Sequence, residues 1–269
     1  MDETIISIRD LTVSYGGRRV LDGVNLDIRR GEVIALLGAS GSGKSTMLRH
    51  MIGLAKPDSG TIHIQGVDIN RCSTRELMAI RRDLGVAFQG SALFSSMSVE
   101  ENVRLPLREL TSLSDSVIEI MAFIKLASVG LADAGKLMPQ ELSGGMKKRA
   151  AVARATALDP EILIFDEPSA GLDPIVAAEL DELILFLKRA FHMTVVIVTH
   201  EMASAFRVAD RLAMLYQGSL IAVETKEAFS TSTDPRIRQF LDRKPQRITE
   251  SESVQRRLRE LVTMTGVAE

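Results

Sequence analysis

The apolar positions of this 269-residue chain form two patterns, short continuous runs and longer stretches with helical spacing. The runs at 33–37, 162–165 and 195–198 are rich in Val, Ile and Leu, and each has the length of a buried strand. Helix-length stretches separate these runs along the chain. Buried strands that alternate with helices predict an α/β fold with a largely parallel sheet, covered by helices on both faces.

Further elements are predicted on either side of these runs. Residues 5–13 and 20–28 have the pattern of strands, and they precede the first buried run. A glycine-rich loop follows that run. The next predicted elements are a helix at 45–54, a strand at 61–65, a helix at 74–82 and a strand at 84–88.

The middle of the chain has a different character. From about 90 to 157 the β-branched runs are few and helical patterns dominate, which predicts a helical subdomain inserted into the α/β core. Alternation of strands and helices returns over 161–223. We therefore expect residues 1–243 to form one domain that contains this insertion.

The polar tail at 244–269 is a separate region of the sequence. Pro245 predicts a break, and residues 249–252 fit a capping box at the start of a helix. A short amphipathic helix is predicted there, in which one face carries the apolar residues. Those residues are Val254, Leu258, Leu261 and Val262.

Composition excludes several classes of function. The chain has 33 Lys and Arg against 35 Asp and Glu, a net charge of −2, so we expect no nucleic-acid partner. The single cysteine, Cys72, cannot form an internal disulfide, which is typical of a reducing compartment. No apolar stretch is long enough to span a membrane, and residues 1–4 lack the basic start of a signal peptide.

A phosphate-binding loop follows the first buried run. Residues 38–45 fit G-x-x-x-x-G-K-[ST] between a strand and a helix, the context that the motif requires. Its glycines let backbone N–H groups turn inward to a phosphate anion. Lys44 is expected to reach the β- and γ-phosphates, and the Ser45 hydroxyl to bind Mg²⁺. The predicted nucleotide-binding residues are Gly38, Ala39, Ser40, Gly41, Ser42, Gly43, Lys44, Ser45 and Thr46.

Two carboxylates follow the second buried run. Asp166 and Glu167 end the apolar strand at 162–165, which places them at the carboxyl edge of the sheet, beside the phosphate loop. Asp166 is predicted to act on the Mg²⁺ side of the site. Glu167 is predicted to be the general base that activates water for attack on the γ-phosphate. Without the phosphate loop, a solvated acidic turn would be the better interpretation of this pair.

A second phosphate motif, Leu-Ser-Gly-Gly-Met at 142–146, precedes a helix-compatible run at 147–154. With it, residues 5–241 resemble the ATP-binding cassette (ABC) family in the order and spacing of their motifs. Met146 departs from the pattern, since many members carry Gln there. The matching elements are Tyr15, the loop at 38–46, Gln89, the signature at 142–146, the acidic strand at 162–167, Asp173 and His200.

The resemblance implies a P-loop NTPase core with an antiparallel β subdomain and a helical subdomain, and it implies hydrolysis of ATP with Mg²⁺. Tyr15 would offer its ring to adenine, Gln89 would contact Mg²⁺ and the attacking water, and His200 would bond the γ-phosphate and assist catalysis. Alone, each of these three would more often be an ordinary surface or strand-end residue. Their ordered context favours the functional interpretation.

A second copy of the chain is also implied by the resemblance. In the family, the signature residues contact the nucleotide of a second cassette, so two copies would pack head to tail around two shared ATP molecules. Asp173 would lie at that interface, and the helix after Gly144 and Gly145 would point its positive end at the opposing γ-phosphate. The predicted residues of this shared surface are Ser143, Gly144, Gly145 and Asp173.

Several segments point to a narrower group, namely residues 88–94, 97–103, 105–109, 136–139, 141–146 and 234–241. Together they look like the ATPase subunit of Mla/Mce-type bacterial phospholipid transporters, which maintain outer-membrane lipid asymmetry. Gly90-Ser91 and Ser169-Ala170 differ from that pattern. The similarity implies a position at the cytoplasmic face of the inner membrane, bound through permease subunits, with an Mce-domain lipid-binding subunit and a STAS-domain subunit as further partners.

Two other functions compete with lipid transport. One is the ATPase of another importer or exporter, such as a polar amino-acid or toluene-tolerance system. The other is a non-transport ABC protein of DNA repair or translation, against which the single cassette, single cysteine and negative charge count. For a transporter, the permease contact is expected at 89–101, through Leu93, Phe94 and Met97, unless these three pack inside the insertion itself.

Overall fold

The computed structural model describes residues 3–242, so the predicted tail helix lies outside the described residues. The strands are β1 (Thr4–Tyr15), β2 (Arg18–Arg29), β3 (Val33–Leu37), β4 (Ser59–Ile64), β5 (Val67–Asp68), β6 (Leu84–Ala87), β7 (Ile162–Asp166), β8 (Thr194–Val198), β9 (Arg211–Tyr216) and β10 (Ser219–Thr225). The helices are α1 (Lys44–Met51), α2 (Thr74–Arg82), α3 (Val99–Leu110), α4 (Asp115–Ser128), α5 (Gly144–Ala155), α6 (Pro174–Phe191), α7 (Met202–Val208), α8 (Lys226–Thr231) and α9 (Pro235–Leu241).

The main sheet has the strand order β10-β9-β3-β8-β7-β6. All neighbouring strands pair in parallel except β10, which pairs antiparallel with β9. Every residue of β3 and of β8 is buried, which is why these strands read as continuous apolar runs. The predicted α/β core with a mostly parallel sheet is therefore confirmed.

A second, antiparallel sheet has the order β2-β1-β4-β5. Its long strands, β1 and β2, pair antiparallel with several register shifts, and β2 is a single strand where the sequence indicated short strand segments over 20–28. Buried and exposed residues alternate along much of β1 and β2, because one face of this sheet contributes to the core. Ile6, Ile8, Ile28 and Ile62 are among its fully buried residues.

The helices α3, α4 and α5 lie within the stretch predicted to be helical. Ser98 and Glu101 form a capping box that begins α3, and Ser143 caps α5. These three helices pack on one another, so the insertion has its own apolar contacts. Two short 3₁₀ turns, Ala132–Ala134 and Pro139–Glu141, lie between α4 and α5.

The first helix of the core ends earlier than the sequence pattern predicts. We expected a helix over 45–54, and α1 ends at Met51. Gly53 has a φ of +68°, a left-handed conformation that glycine adopts easily and that terminates helices.

The chain divides into two units between Ser232 and Thr233. Helix α9 belongs to the second unit, where Asp234 caps its start by accepting a hydrogen bond from the Arg236 N–H. Within residues 3–242, no helix is both long and apolar enough to cross a membrane.

Candidate active site

The phosphate loop joins the end of β3 to the start of α1 and depends on two tightly packed glycines. A Cβ atom on Gly38 would lie 2.4 Å from the carbonyl oxygen of Leu215, and one on Gly43 would lie 2.7 Å from Cδ2 of Leu21. Gly43 also has a φ of +109°, which only glycine adopts without strain. A backbone oxygen of β9 and a side chain of β2 therefore approach the loop closely, and the motif glycines make this approach possible.

Lys44 begins α1 and points back into the loop. Its side chain is buried, and Nζ donates to the carbonyl oxygens of Gly38 at 2.7 Å and Ala39 at 3.3 Å. Burial lowers the pKa of the Lys44 ammonium, while the charges of Glu167 and Asp166 oppose that shift. The structure thus places one buried cation beside the carboxyl edge of the main sheet.

An open cleft of about 330 Å³ lies over this loop. It brings together part of the phosphate loop with three predicted residues from elsewhere in the chain, Gln89, Glu167 and His200. Val20 also lines the cleft, although nothing in the sequence pattern singled it out. The phosphate-loop residues that line the cleft are Ser40, Gly41, Gly43, Lys44, Ser45 and Thr46.

The acidic pair lies at the end of β7, where Glu167 lines the cleft and Asp166 does not. Asp166 is the last residue of the strand, and Glu167 follows with a φ of +49°, its N–H donating to the Val198 carbonyl at 2.8 Å. Glu167 is buried, and its conformation turns the chain sharply at the strand end. The structure therefore holds two carboxylates side by side, next to Lys44.

Asp166 lacks the hydrogen bonds that a buried carboxylate normally has. Its Oδ1 is buried and accepts no hydrogen bond from residues 3–242. Burial, and then the charge of Glu167, raise the pKa of Asp166 above its ordinary value, against the opposing effect of nearby cations. Such an oxygen is suited to a ligand that supplies positive charge.

His200 follows β8, the strand next to β7. Its Nδ1 lies 2.9 Å from Oε2 of Glu167, and its backbone N–H donates to the same oxygen at 3.3 Å. The imidazole is about half exposed, at 51%, so it borders the open side of the cleft. The sheet thus pairs a histidine with the carboxylate that sequence reasoning selected as the base.

Gln89 follows β6 and is exposed at the cleft. Its carbonyl oxygen accepts a hydrogen bond from Nζ of Lys148, a residue of α5, at 2.5 Å. The same Nζ donates to the carbonyl oxygen of Glu167 at 3.2 Å. Sequence reasoning missed Lys148, since it is one of several basic residues in the run at 147–154 and no motif position distinguishes it.

The remaining predicted residues do not line this cleft. Ser143 caps α5 by accepting a hydrogen bond from the Met146 N–H at 3.3 Å, and Asp173 caps α6 through the N–H groups of Ile175 and Val176. Because the Met146 contact uses its backbone N–H, the side chain at that position does not alter the cap. Tyr15 ends β1 and is half exposed.

Gly145 allows α5 and α6 to approach each other closely. A Cβ atom there would lie 2.6 Å from Cγ1 of Val176. Gly144 and Ser143 are exposed. The start of α5 is therefore not part of the lining of its own chain's cleft.

Comparison with known proteins identifies a family and relatives that are ATP-binding subunits of transporters. The model of the family described as "ABC transporter" matches residues 21–170. The chain is 41% identical to the "Intermembrane phospholipid transport system ATP-binding protein MlaF" of Haemophilus influenzae over 241 residues, 90% of this chain and 91% of the relative. It is 41% identical to the Escherichia coli K12 protein of the same name over 238 residues, 88% of each chain.

A mycobacterial relative is named for the transport of a different substrate. The chain is 45% identical to the "Probable ribonucleotide transport ATP-binding protein mkl" of Mycobacterium leprae over 237 residues, which is 88% of this chain and 68% of the relative. The chain therefore spans about two thirds of that protein's length.

Solved structures resemble the chain over most of its length. The ATP-binding cassette MJ0796, a dimer in a post-hydrolysis state bound to ADP and Pi, is 33% identical with a TM-score of 0.76 and covers 82% of this chain and 98% of that one. CbiO1 from Clostridium perfringens, part of the transporter complex cbiONQ, is 30% identical with a TM-score of 0.78 and covers 90% and 96%.

Proposed function

Since this chain belongs to the ABC transporter family and is the ATP-binding, ATP-hydrolysing subunit of a transporter, we propose that it energises the transport of phospholipid between bacterial membranes. The observation that carries the proposal is the match to MlaF, which extends over 90% of this chain and 91% of the relative. The correspondence therefore includes the helical subdomain as well as the phosphate sites.

Ribonucleotide transport is the second candidate, because the mycobacterial relatives are named for that function. Their identity is higher, 45%, but the chain spans only 68% of the Mycobacterium leprae protein. The MlaF relatives match along nearly their whole length, so phospholipid is the better supported substrate.

The cleft supports an assignment of roles in ATP hydrolysis. The backbone of the loop at 38–43 and the buried ammonium of Lys44 would hold the phosphates. Glu167 would take a proton from the attacking water, and His200 would orient Glu167 and bond the γ-phosphate. Gln89, exposed at the cleft, would contact the attacking water and Mg²⁺.

The donor set at this edge fits Mg²⁺. The buried Oδ1 of Asp166, without a hydrogen-bond partner in the described part of the chain, and the exposed Ser45 would hold the ion. Within residues 3–242 no group of three His, Cys, Asp or Glu side chains is arranged to hold a metal ion by itself, which suits an ion held largely by nucleotide phosphates and water. When bound, Mg²⁺ would neutralise developing charge on the phosphates.

The residues outside the cleft support a composite site between two copies. Ser143, Gly144 and Asp173 are exposed and do not line the cleft of their own chain. The similar cassette MJ0796 is dimeric. In a head-to-tail homodimer, the positive end of α5 would meet the partner's γ-phosphate and complete its site. Tyr15 would lie at the adenine end of the nucleotide.

A rigid segment next to Gln89 is the proposed permease contact. The Asn102 side chain is fully buried and bonds both the N–H and the carbonyl oxygen of Phe94. The Phe94 ring is nevertheless 50% exposed, with the Arg154 guanidinium 6.0 Å from its centroid. Asn102 thus holds the Phe94 backbone while half of the ring stays exposed, which supports a contact in which Phe94 fills a groove in a membrane subunit rather than packing in the insertion's own core.

The further assembly follows from the proposed transport system. Permease subunits would hold the chain at the cytoplasmic face of the inner membrane, and an Mce-domain lipid-binding subunit and a STAS-domain subunit would complete the complex. Within this arrangement we assign residues 1–243 to the ABC ATPase domain, with the helical subdomain at about 90–157, and residues 244–269 to a tail.

Isolation of the native complex tests the substrate. The chain is purified from membranes with its partners, and small molecules that remain bound are extracted and identified by mass spectrometry. We expect phospholipid, and we expect phospholipid vesicles to change the ATPase rate of the complex. A complex that carries no lipid and responds to ribonucleotides other than ATP would replace phospholipid with the second candidate.

A further inference from the structure

Lys148 lies between two of the residues proposed to act in ATP hydrolysis, Gln89 and Glu167. It is a residue of α5, the helix that begins with the signature, and its side chain is 9% exposed. Its Nζ lies 2.5 Å from the Gln89 carbonyl oxygen and 3.2 Å from the Glu167 carbonyl oxygen. One ammonium therefore joins the segments that follow β6 and β7.

The charge environment of Lys148 resembles that of Lys44. Burial lowers the pKa of the Lys148 ammonium, and the charges of Asp166 and Glu167 oppose this shift. Lys44 lines the cleft, whereas Lys148 does not and contacts the acidic pair through the main-chain carbonyl oxygen of Glu167. Because both contacts of Lys148 are to backbone oxygens, they act on the path of the chain itself.

A second cation of α5, Arg154, hydrogen-bonds the residues that follow Gln89. Arg154 donates to the carbonyl oxygens of Ser91 at 3.0 Å and Ala92 at 2.8 Å. Ser91 and Ala92 have φ values of +61° and +49°, which are unfavourable for residues other than glycine and must be held by surrounding contacts. Helix α5 thus hydrogen-bonds residues 89–92 through two side chains, Lys148 and Arg154. Of these two, only Lys148 also hydrogen-bonds Glu167.

We propose that Lys148 is a positioning residue for ATP hydrolysis. It fixes the backbone of Gln89 relative to that of Glu167, and it thereby couples the position of α5 to the cleft of its own chain. The proposal rests on the function proposed above for Gln89, Glu167 and the signature. The start of α5 would meet the nucleotide of the partner copy. Lys148, further along the same helix, would therefore connect that shared site to the cleft of its own chain.

The loss of this link has a defined kinetic signature. Lys148→Met removes the charge and both hydrogen bonds but keeps an unbranched side chain. We expect kcat to fall at least about tenfold, equivalent to ~1.4 kcal/mol, while the KM for ATP changes by less than about twofold, since the phosphate loop is untouched. Lys148→Arg, which retains a cation, should keep kcat within about threefold of the parent.

Controls separate this effect from a loss of folding. Lys136→Met makes the same substitution at an exposed position of the same subdomain and should leave kcat and KM unchanged. Thermal unfolding is measured for every variant, and should Lys148→Met fail to fold, Lys148→Gln replaces it under the same criteria. The assays use the full chain with saturating Mg²⁺.

The kinetic measurements can contradict the positioning role of Lys148 while leaving the proposed function intact. An unchanged kcat in Lys148→Met would overturn the positioning role, because the cation would then not be needed for turnover. An equal loss of kcat in the Met and Arg variants would also overturn it, because a retained cation would then give no benefit. If Glu167→Gln were as active as the parent, the roles proposed for the cleft would fail instead. The two failures are therefore distinguishable in one series of measurements.

Discussion

His200 and Glu167 meet at a single oxygen atom. The imidazole Nδ1 and the backbone N–H of His200 lie 2.9 Å and 3.3 Å from Oε2 of Glu167, although the residues are separated by 33 positions in the chain. The strands that precede them, β7 and β8, are parallel neighbours with Asp166 opposite Val198. Engagement of one oxygen by both the ring and the main chain of His200 limits rotation of the Glu167 carboxylate.

Glu167→Gln should retain ATP binding and nearly abolish turnover. The amide has the shape of the carboxylate but cannot take a proton from water, so we expect a loss of about 10²–10⁴ in rate. ATP should then accumulate between two copies and trap a dimer. Steady-state hydrolysis and sedimentation with ATP and Mg²⁺ measure both effects. Near-normal turnover would remove Glu167 from the role of base.

Lys44→Ala should weaken both ATP binding and hydrolysis. Its ammonium is the buried cation that bonds the loop carbonyls of Gly38 and Ala39. Loss of a charged hydrogen bond of about 1.5–3 kcal/mol corresponds to a roughly tenfold to hundredfold loss of affinity. Equilibrium binding of a fluorescent ATP analogue measures it, with the exposed Lys56→Ala as control. Parental affinity in Lys44→Ala would contradict the assignment.

Asp166→Asn should stabilise the nucleotide-free protein and inactivate it. The pKa of Asp166 is raised in the folded chain, so the folded state binds its proton more tightly than the unfolded state does. Stability attributable to Asp166 is therefore present at low pH and is lost as pH rises from the ordinary value of 3.8 through the raised pKa.

The measurement is the midpoint of thermal unfolding as a function of pH. At neutral pH the Asn variant should unfold at a higher temperature than the parent, and the difference should shrink as pH falls toward 4. Addition of Mg²⁺ and ATP should stabilise the parent more than the variant, because Asp166 is proposed to hold the ion. A variant that is less stable than the parent at neutral pH would contradict the prediction.

Phe94→Glu should leave the isolated subunit folded and active but prevent assembly with its permease. The ring is half exposed and its backbone is held independently by Asn102, so the charge removes no buried apolar contact of consequence. Co-purification with the permease measures assembly, and Phe123→Glu, at an exposed position of α4, serves as control. Unfolding would assign Phe94 to the insertion's core, and normal assembly would exclude it from the interface.

Local patterns were sufficient to predict the phosphate loop, the acidic pair and most elements. The glycine spacing at 38–43 describes a backbone path that only glycines allow, and the fully apolar runs of β3 and β8 arise because both faces of those strands are covered. Such features are encoded within a few residues, so they could be recognised without a structure. The end of α1 was predicted less well, because Gly53 stops the helix while apolar spacing continues.

The contacts between distant segments were decided only by the tertiary structure. The sequence identified Glu167 and His200 separately, and the parallel pairing of β7 with β8 joined them. Nothing local distinguished Lys148 from its basic neighbours, because its role depends on two carbonyl oxygens that strand order brings within reach of α5. By itself, the sequence determined which chemistry the chain contains, since residue type and short-range spacing specify local backbone and charge. The packing of sheet against helix decided which of those groups meet, since that depends on contacts between residues far apart in the chain.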